Sequence, residues 1–170
     1  DLNYQNFKWW HDIVPGAIIP GTTTEENFEH DGQFNNRNLN LGFTIGLNDY
    51  WNITVSQLIS ERCMDWEAPH DSDHHRTECS SSDFPQNAKG GYLGDTRFNF
   101  KYLLMNQGKG PGNRVFIGGG LVIPSKNVLT ESPFLTFVDE TFNEQYFDHR
   151  HFALSDGSYK IFTDFQFFKK

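Results

Sequence analysis

Between Cys63 and Cys79 the chain carries His70-Asp-Ser-Asp-His-His75, with Glu67, Arg76 and Glu78 beside it. His70, Asp71, Asp73, His74 and His75 are the candidate metal donors: imidazoles and carboxylates for Zn²⁺, or oxygens alone for Ca²⁺. Their spacing matches no recognised ligand pattern, so the expected state of 67–78 is a solvated polar loop, and no cofactor is expected. His149 and His151 flank Arg150 and read as loop or strand-entry residues rather than ligands. Cys63 and Cys79, in a chain of exported character, are expected to form one disulfide; closing a loop of that size is worth about 3 kcal/mol.

Nucleophilic catalysis has no support here. There is no Gly-x-Ser-x-Gly elbow, and Glu25-Glu26 and Asp139-Glu140 are adjacent pairs whose side chains diverge in extended backbone. An enzyme is not expected. A third group of chemistry-bearing residues is Arg97, Asn99, Lys101, Lys160 and Asp164, charges and amides recurring at alternate positions. Whatever they do, period-2 spacing means that strands must position them.

Composition agrees. Only 36% of the 170 residues are hydrophobic, yet 16% are aromatic and 17 are Phe, which fits neither a disordered chain nor a helical bundle. The net charge of −8 leaves no basic face for nucleic acid. No run of 18 apolar residues exists, which excludes a transmembrane helix and leaves strands that cross with about 9–11 residues each.

The clearest alternation is 37–47, where Leu39, Leu41, Phe43, Ile45 and Leu47 face opposite Asn38, Asn40, Gly42, Thr44 and Gly46. An Asn48-Asp49 turn leads into Ile53 and Val55, and the pattern slips near Leu58 and Ile59 as at a bulge. Phe98, Phe100, Tyr102 and Leu104 then share one face, with Asp95, Arg97, Asn99 and Lys101 on the other. Val115, Ile117, Leu121 and Ile123 continue past Gly118-Gly-Gly120, which signals a bend or a close backbone approach. The last strand sets Tyr159, Ile161, Thr163, Phe165 and Phe167 against Lys160, Phe162, Asp164 and Gln166. Residues 1–36 are expected to hold at most one short strand, around 13–19, and 37–170 to hold the remaining five.

Connections alternate in length: 48–52 and 106–113 are short, whereas 62–91 and 124–157 are long. This is the habit of outer-membrane barrels, with tight turns on one rim and long loops on the other. The fold class expected is therefore all-β, an antiparallel up-and-down transmembrane β-barrel or the N-terminal part of one, since about eight strands are the minimum for closure. Lipid would then meet Leu39, Leu41, Phe43, Ile45, Phe98, Phe100 and Tyr102; Asn40, Thr44, Arg97, Asn99 and Lys101 would face the lumen with Lys160 and Asp164. The competing reading is a soluble secreted β-sandwich or jelly roll, binding carbohydrate or serving as an extracellular structural protein, with a second sheet over the apolar face.

The segments Leu39-Asn-Leu-Gly-Phe-Thr-Ile-Gly-Leu47, Trp51-Asn-Ile-Thr-Val55, Gly94-Asp-Thr-Arg-Phe-Asn-Phe-Lys-Tyr102 and Gly118-Gly-Gly-Leu-Val-Ile-Pro124, in this order, resemble the outer-membrane barrels of the phenol-degradation (MetA-pathway) transporter family. Ser155-Asp-Gly-Ser158 resembles its next strand start, and the likeness spans roughly 37–168. It implies a passive channel for small hydrophobic or aromatic solutes in a bacterial outer membrane, with no catalytic residues. The implied partners are the lipid bilayer and those solutes, with a homo-oligomer or larger envelope complex open. The chain departs from the family by being shorter and by ending in Lys169-Lys170 without a terminal aromatic; a signal peptide is also absent from it.

Overall fold

A computed structural model describes residues 1–12, 29–66, 77–84, 87–107, 111–132, 137–138, 144–145 and 149–169. The described residues contain no helix. Strands β1 (Leu2–Asp12), β2 (Glu29–Gly46), β3 (Trp51–Trp66), β4 (Leu93–Asn106), β5 (Asn113–Ile123) and β8 (Lys160–Lys169) form one antiparallel sheet in that order, curled into a half-barrel. Two short strands, β6 (Phe137–Val138) and β7 (Glu144–Gln145), pair with each other inside the connection from β5 to β8. Every neighbour in the large sheet is the next strand along the chain, apart from that excursion. β1 and β8 are its two edges.

Side-chain parity fixes the two faces. Phe43 pairs with Val55, Val55 with Phe98, Phe98 with Leu121 and Leu121 with Ile161, so one apolar row runs across five strands on the convex side. The next row towards the hairpin turns is apolar on three strands, Ile45, Ile53 and Phe100, and continues through Gly119 and Thr163. On the concave side the matching rows are Gly42, Ser56, Arg97, Val122 and Lys160, then Thr44, Thr54, Asn99, Gly120 and Phe162. The alternation read from 37–47 and 95–104 is thus the alternation of the two faces.

Two short turns close one rim. In the first, Leu47 N donates to Trp51 O at 2.8 Å, and Asn48 Oδ1 accepts from the amides of Tyr50 and Trp51, the side-chain chemistry that makes Asn a turn former. The expected slip is a bulge between Gln57 and Ile59. Gln57 Nε2 donates to Leu58 O and Gly94 O while its Oε1 accepts from Thr96 Oγ1, so one side chain satisfies the groups that the bulge displaces. A second bulge, between Leu103 and Met105, ends the clean alternation of β4 at Leu104.

Pairing continues through the glycines of β5 on both sides. They allow close approach: a Cβ on Gly118 would lie 2.6 Å from Phe100 O, and one on Gly120 would strike Phe98 O and come within 2.8 Å of the Phe162 ring.

Three expectations need correction. The first 36 residues hold more than one short strand: β1 has 11 residues and β2 begins at Glu29, eight residues before Arg37. The expected short strand at 13–19 lies outside the described residues. The long loop does not begin at residue 62, because β3 runs on to Trp66, and the connection 124–157 contains β6, β7 and a bridge between Ala88 and Leu129. The first two share a cause. Near these strand ends the convex face is also polar, with Tyr4, Arg37, Glu61, Asn35 and Asp65, so apolar alternation disappears while backbone pairing persists.

Candidate functional site

The five polar strand residues singled out above, Arg97, Asn99, Lys101, Lys160 and Asp164, all stand on the concave face. Lys101 Nζ lies 3.1 Å from Asp164 Oδ2, and Asn99 Nδ2 donates to the same carboxylate oxygen at 3.2 Å. Gly118 and Gly120, directly between β4 and β8, carry no side chain that would block this reach. Arg97 lies over the Phe162 ring, 4.6 Å from its centroid, a cation–π contact across the same bare strand. Lys160 bridges Asp95 at 3.9 Å and Asp156 at 2.8 Å. Three of the five are therefore tied into ion pairs, and the guanidinium of Arg97 sits on an aromatic surface.

These groups border two shallow cavities of about 440 Å³ each. One is lined by Asn40, Thr54, Ser56, Arg97, Asn99 and Phe162, the other by Thr44, Asn52, Lys101, Arg114, Gln166 and Phe168. Asn99 Oδ1, at the edge of the first, is buried and accepts no hydrogen bond. The lining is amphipathic: amides and hydroxyls from β2 and β3, cations from β4 and β5, aromatic rings from β8.

Farther along the concave face, away from the hairpin turns, the chemistry changes. Phe7, Phe34, Met64, Trp66, His151 and Phe152 enclose a pocket of about 310 Å³. Phe34 meets Phe7 at 5.0 Å and Phe152 edge-on at 5.2 Å. Gly32 makes room, since a Cβ there would lie 2.6 Å from Met64 Cε.

The outer segments over this end are held by buried polar side chains. Arg150 is 1% exposed; its Nη1 donates to the carbonyls of Cys79 (2.9 Å) and Ser82 (3.2 Å), and its Nη2 to that of Lys89 (3.4 Å). Burial pushes its ionisation down from the usual arginine range, and Asp83 counteracts that. Asn127, also 1% exposed, donates to Ser80 O and Gly91 O and accepts from Leu154 N. Ser80 continues the ladder of β3, with its amide donating to Arg62 O and its hydroxyl accepting from Arg62 N. Arg62 Nη1 donates to Ala153 O.

Cys63 and Cys79 form the expected disulfide. Cys63 belongs to β3, however, so the bond fastens the outer segment to the sheet rather than closing a loop upon itself. The Glu61 carboxylate approaches both sulfurs, but oxidised sulfur is no thiolate ligand. His70, Asp71, Asp73, His74 and His75 lie outside the described residues. Sequence reasoning missed Arg150, Asn127 and the aromatic pocket. The alternate spacing of Met64 and Trp66 was a signal for the pocket; Arg150 and Asn127 gave none, because such residues ordinarily face water.

The chain matches no known family model, no curated protein and no solved structure in the three comparisons made.

Proposed function

We propose that this chain forms part of the wall of a bacterial outer-membrane β-barrel, a passive channel for small hydrophobic or aromatic solutes. The observation that carries the reading is the convex face. Phe43 is 71% exposed and Ile161 91%, at the two ends of an apolar row that crosses five of the six strands, and Ile45 (65%) and Phe165 (69%) stand exposed on the same face nearer the turns. Among the described residues no second sheet covers them, as a β-sandwich would require. An apolar surface this continuous needs an apolar solvent.

Its limits support the same reading. From Leu39 to Leu47 the apolar stretch spans about 26 Å along β2, or about 20 Å across a bilayer at the usual strand tilt, against a band of about 25 Å in known barrels. Tyr50, Trp51 and Tyr102 stack at the turn end, with ring centroids 4.8 Å apart for Trp51 and Tyr102. Tyr92 and Tyr159 stand exposed at the other end. Aromatic residues at both borders are what an interfacial belt requires. Beyond them the convex face turns polar, with Arg37 and Glu61 3.5 Å apart.

The solute class rests on the aromatic pocket and the amphipathic concave lining. A cavity of about 150 Å³ holds benzene, so a 310 Å³ pocket of three Phe, Trp and Met admits a substituted ring or a fused pair. The resemblance to phenol-degradation barrels points the same way.

The test is a spin label placed singly at Phe43, Phe100 and Ile161 in the full-length protein reconstituted in liposomes. Lipid-dissolved oxygen should relax all three labels more than an aqueous nickel chelate does. A protein that purifies from the soluble fraction, with these positions shielded from both relaxants, overturns the membrane reading.

A further inference from the structure

His149 and His151 were read above as loop or strand-entry residues, and their geometry goes further. Their Nε2 atoms lie 3.1 Å apart, with the ring planes inclined at 65°. Two imidazoles on one Zn²⁺, each with a Zn–N bond of about 2.05 Å, would show that separation at an angle of about 100°, between octahedral and tetrahedral values. We propose that His149 and His151 are two ligands of a divalent transition-metal site, of the Zn²⁺ or Cu²⁺ class, at the edge of the aromatic pocket.

The residue between them explains why the pair converges. Arg150 points into the protein and is anchored at both ends. Its guanidinium donates to three carbonyls, and its amide and carbonyl both bond to the Asn87 side chain. The two flanking imidazoles thus meet, Nε2 to Nε2, on a segment that cannot rotate without breaking those bonds. Such advance ordering lowers the cost of gathering ligands around an ion.

The surroundings suit a metal that keeps open positions. His151 lines the pocket with Trp66 and Phe152, so an ion on its imidazole would sit beside that space, within reach of water or a donor atom of a bound solute. Imidazole favours Zn²⁺ and Cu²⁺ over Ca²⁺ and Mg²⁺, which require oxygen. A proton shared between the rings is the competing occupant.

The experiment uses the full-length protein, folded, stripped by chelator and titrated with Zn²⁺ by calorimetry. One ion should bind in the micromolar range or tighter. The variants His149→Gln and His151→Gln, which retain Arg150, should each weaken binding by at least about tenfold. Undiminished affinity in the double variant overturns the assignment, as does the absence of binding to the unaltered protein. Should the variants misfold, diethylpyrocarbonate labelling of the unaltered protein, mapped by mass spectrometry, decides. Zn²⁺ should protect His149 and His151, and equal modification with and without the ion overturns the site.

Discussion

Arg150 and Asn87 exchange two hydrogen bonds: the Arg150 amide donates to Asn87 Oδ1 at 2.9 Å, and Asn87 Nδ2 donates to the Arg150 carbonyl at 2.9 Å. Both of these side chains are buried. The pair closes the outer segments against each other in the way a short ladder would, without requiring either segment to be a strand.

Replacing Arg150 by Met should therefore free the outer segments. The carbonyls of Cys79, Ser82 and Lys89 lose their shared donor at once, a loss of about 3 kcal/mol or more because buried acceptors are left unpaired. Arg150→Lys should recover little, since one ammonium cannot reproduce the fork. Limited proteolysis should cut both variants faster than the unaltered protein, with the six-stranded sheet intact by circular dichroism.

Thiol reagents should label neither Cys63 nor Cys79 before reduction and both afterwards. The double variant Cys63→Ser/Cys79→Ser should lower the midpoint of thermal unfolding by an amount equivalent to about 3 kcal/mol at most. The Ser80–Arg62 ladder beside the bond survives its loss, so the sheet itself should persist.

Gly120→Ala should destabilise the sheet by about 1–3 kcal/mol, because the added methyl meets Phe98 O and the Phe162 ring and the strand must shift. Gly46→Ala, with nothing within 4 Å of the new atom, should be near neutral. Denaturant midpoints of the two variants supply the comparison.

If the wall encloses a pore, the cations on it should not count equally. Lys101 is neutralised by Asp164 at 3.1 Å, whereas Arg97 rests on Phe162. Arg97→Gln should shift the reversal potential of the whole barrel in a planar bilayer towards cations. Exchanging the pair for Gln and Asn at 101 and 164 should shift it little. Equal shifts would show that pairing does not set the field.

Acid should leave the start of β8 in place until well below the usual carboxylate range. The Lys160 ammonium and the Ser158 hydroxyl and amide hold the Asp156 carboxyl below that range. A carboxyl with a lowered folded value stabilises above its unfolded value, about 3.9, and loses that contribution as pH falls from there through the folded value. The Ser158 amide resonance should thus stay constant from pH 7 to about pH 5 and move only in stronger acid. In Asp156→Asn that movement should vanish.

The sequence carried the middle of the sheet and little of its outer end. Phe98, Phe100 and Tyr102 against Arg97, Asn99 and Lys101 disclosed both faces of β4 because one face is apolar and the other is not. β1 pairs with β2 along its whole length, yet Asn3, Gln5 and Asn6 put amides on both its faces. Their partners are other amides: Asn36 Nδ2 donates to Gln5 Oε1 and Asn6 Nδ2 to Asn35 Oδ1. Backbone pairing leaves no trace in hydropathy where both faces are wet. Arg150 and Asn127 were illegible for a related reason: their burial depends on carbonyls brought together from distant segments, and no local pattern announces that.

One property of the sheet limits whatever completes it. With each strand antiparallel to the next, β1 and β8, first and sixth in the order, run in opposite directions. Their outward edges thus offer hydrogen-bond ladders of opposite polarity. A closed antiparallel wall built on this half must insert an even number of strands between them, or none. Two copies joined edge to edge, β8 of each beside β1 of the other, meet that parity with twelve strands. Strands supplied by a longer chain would have to come in even number, as a hairpin at one edge or as one strand at each.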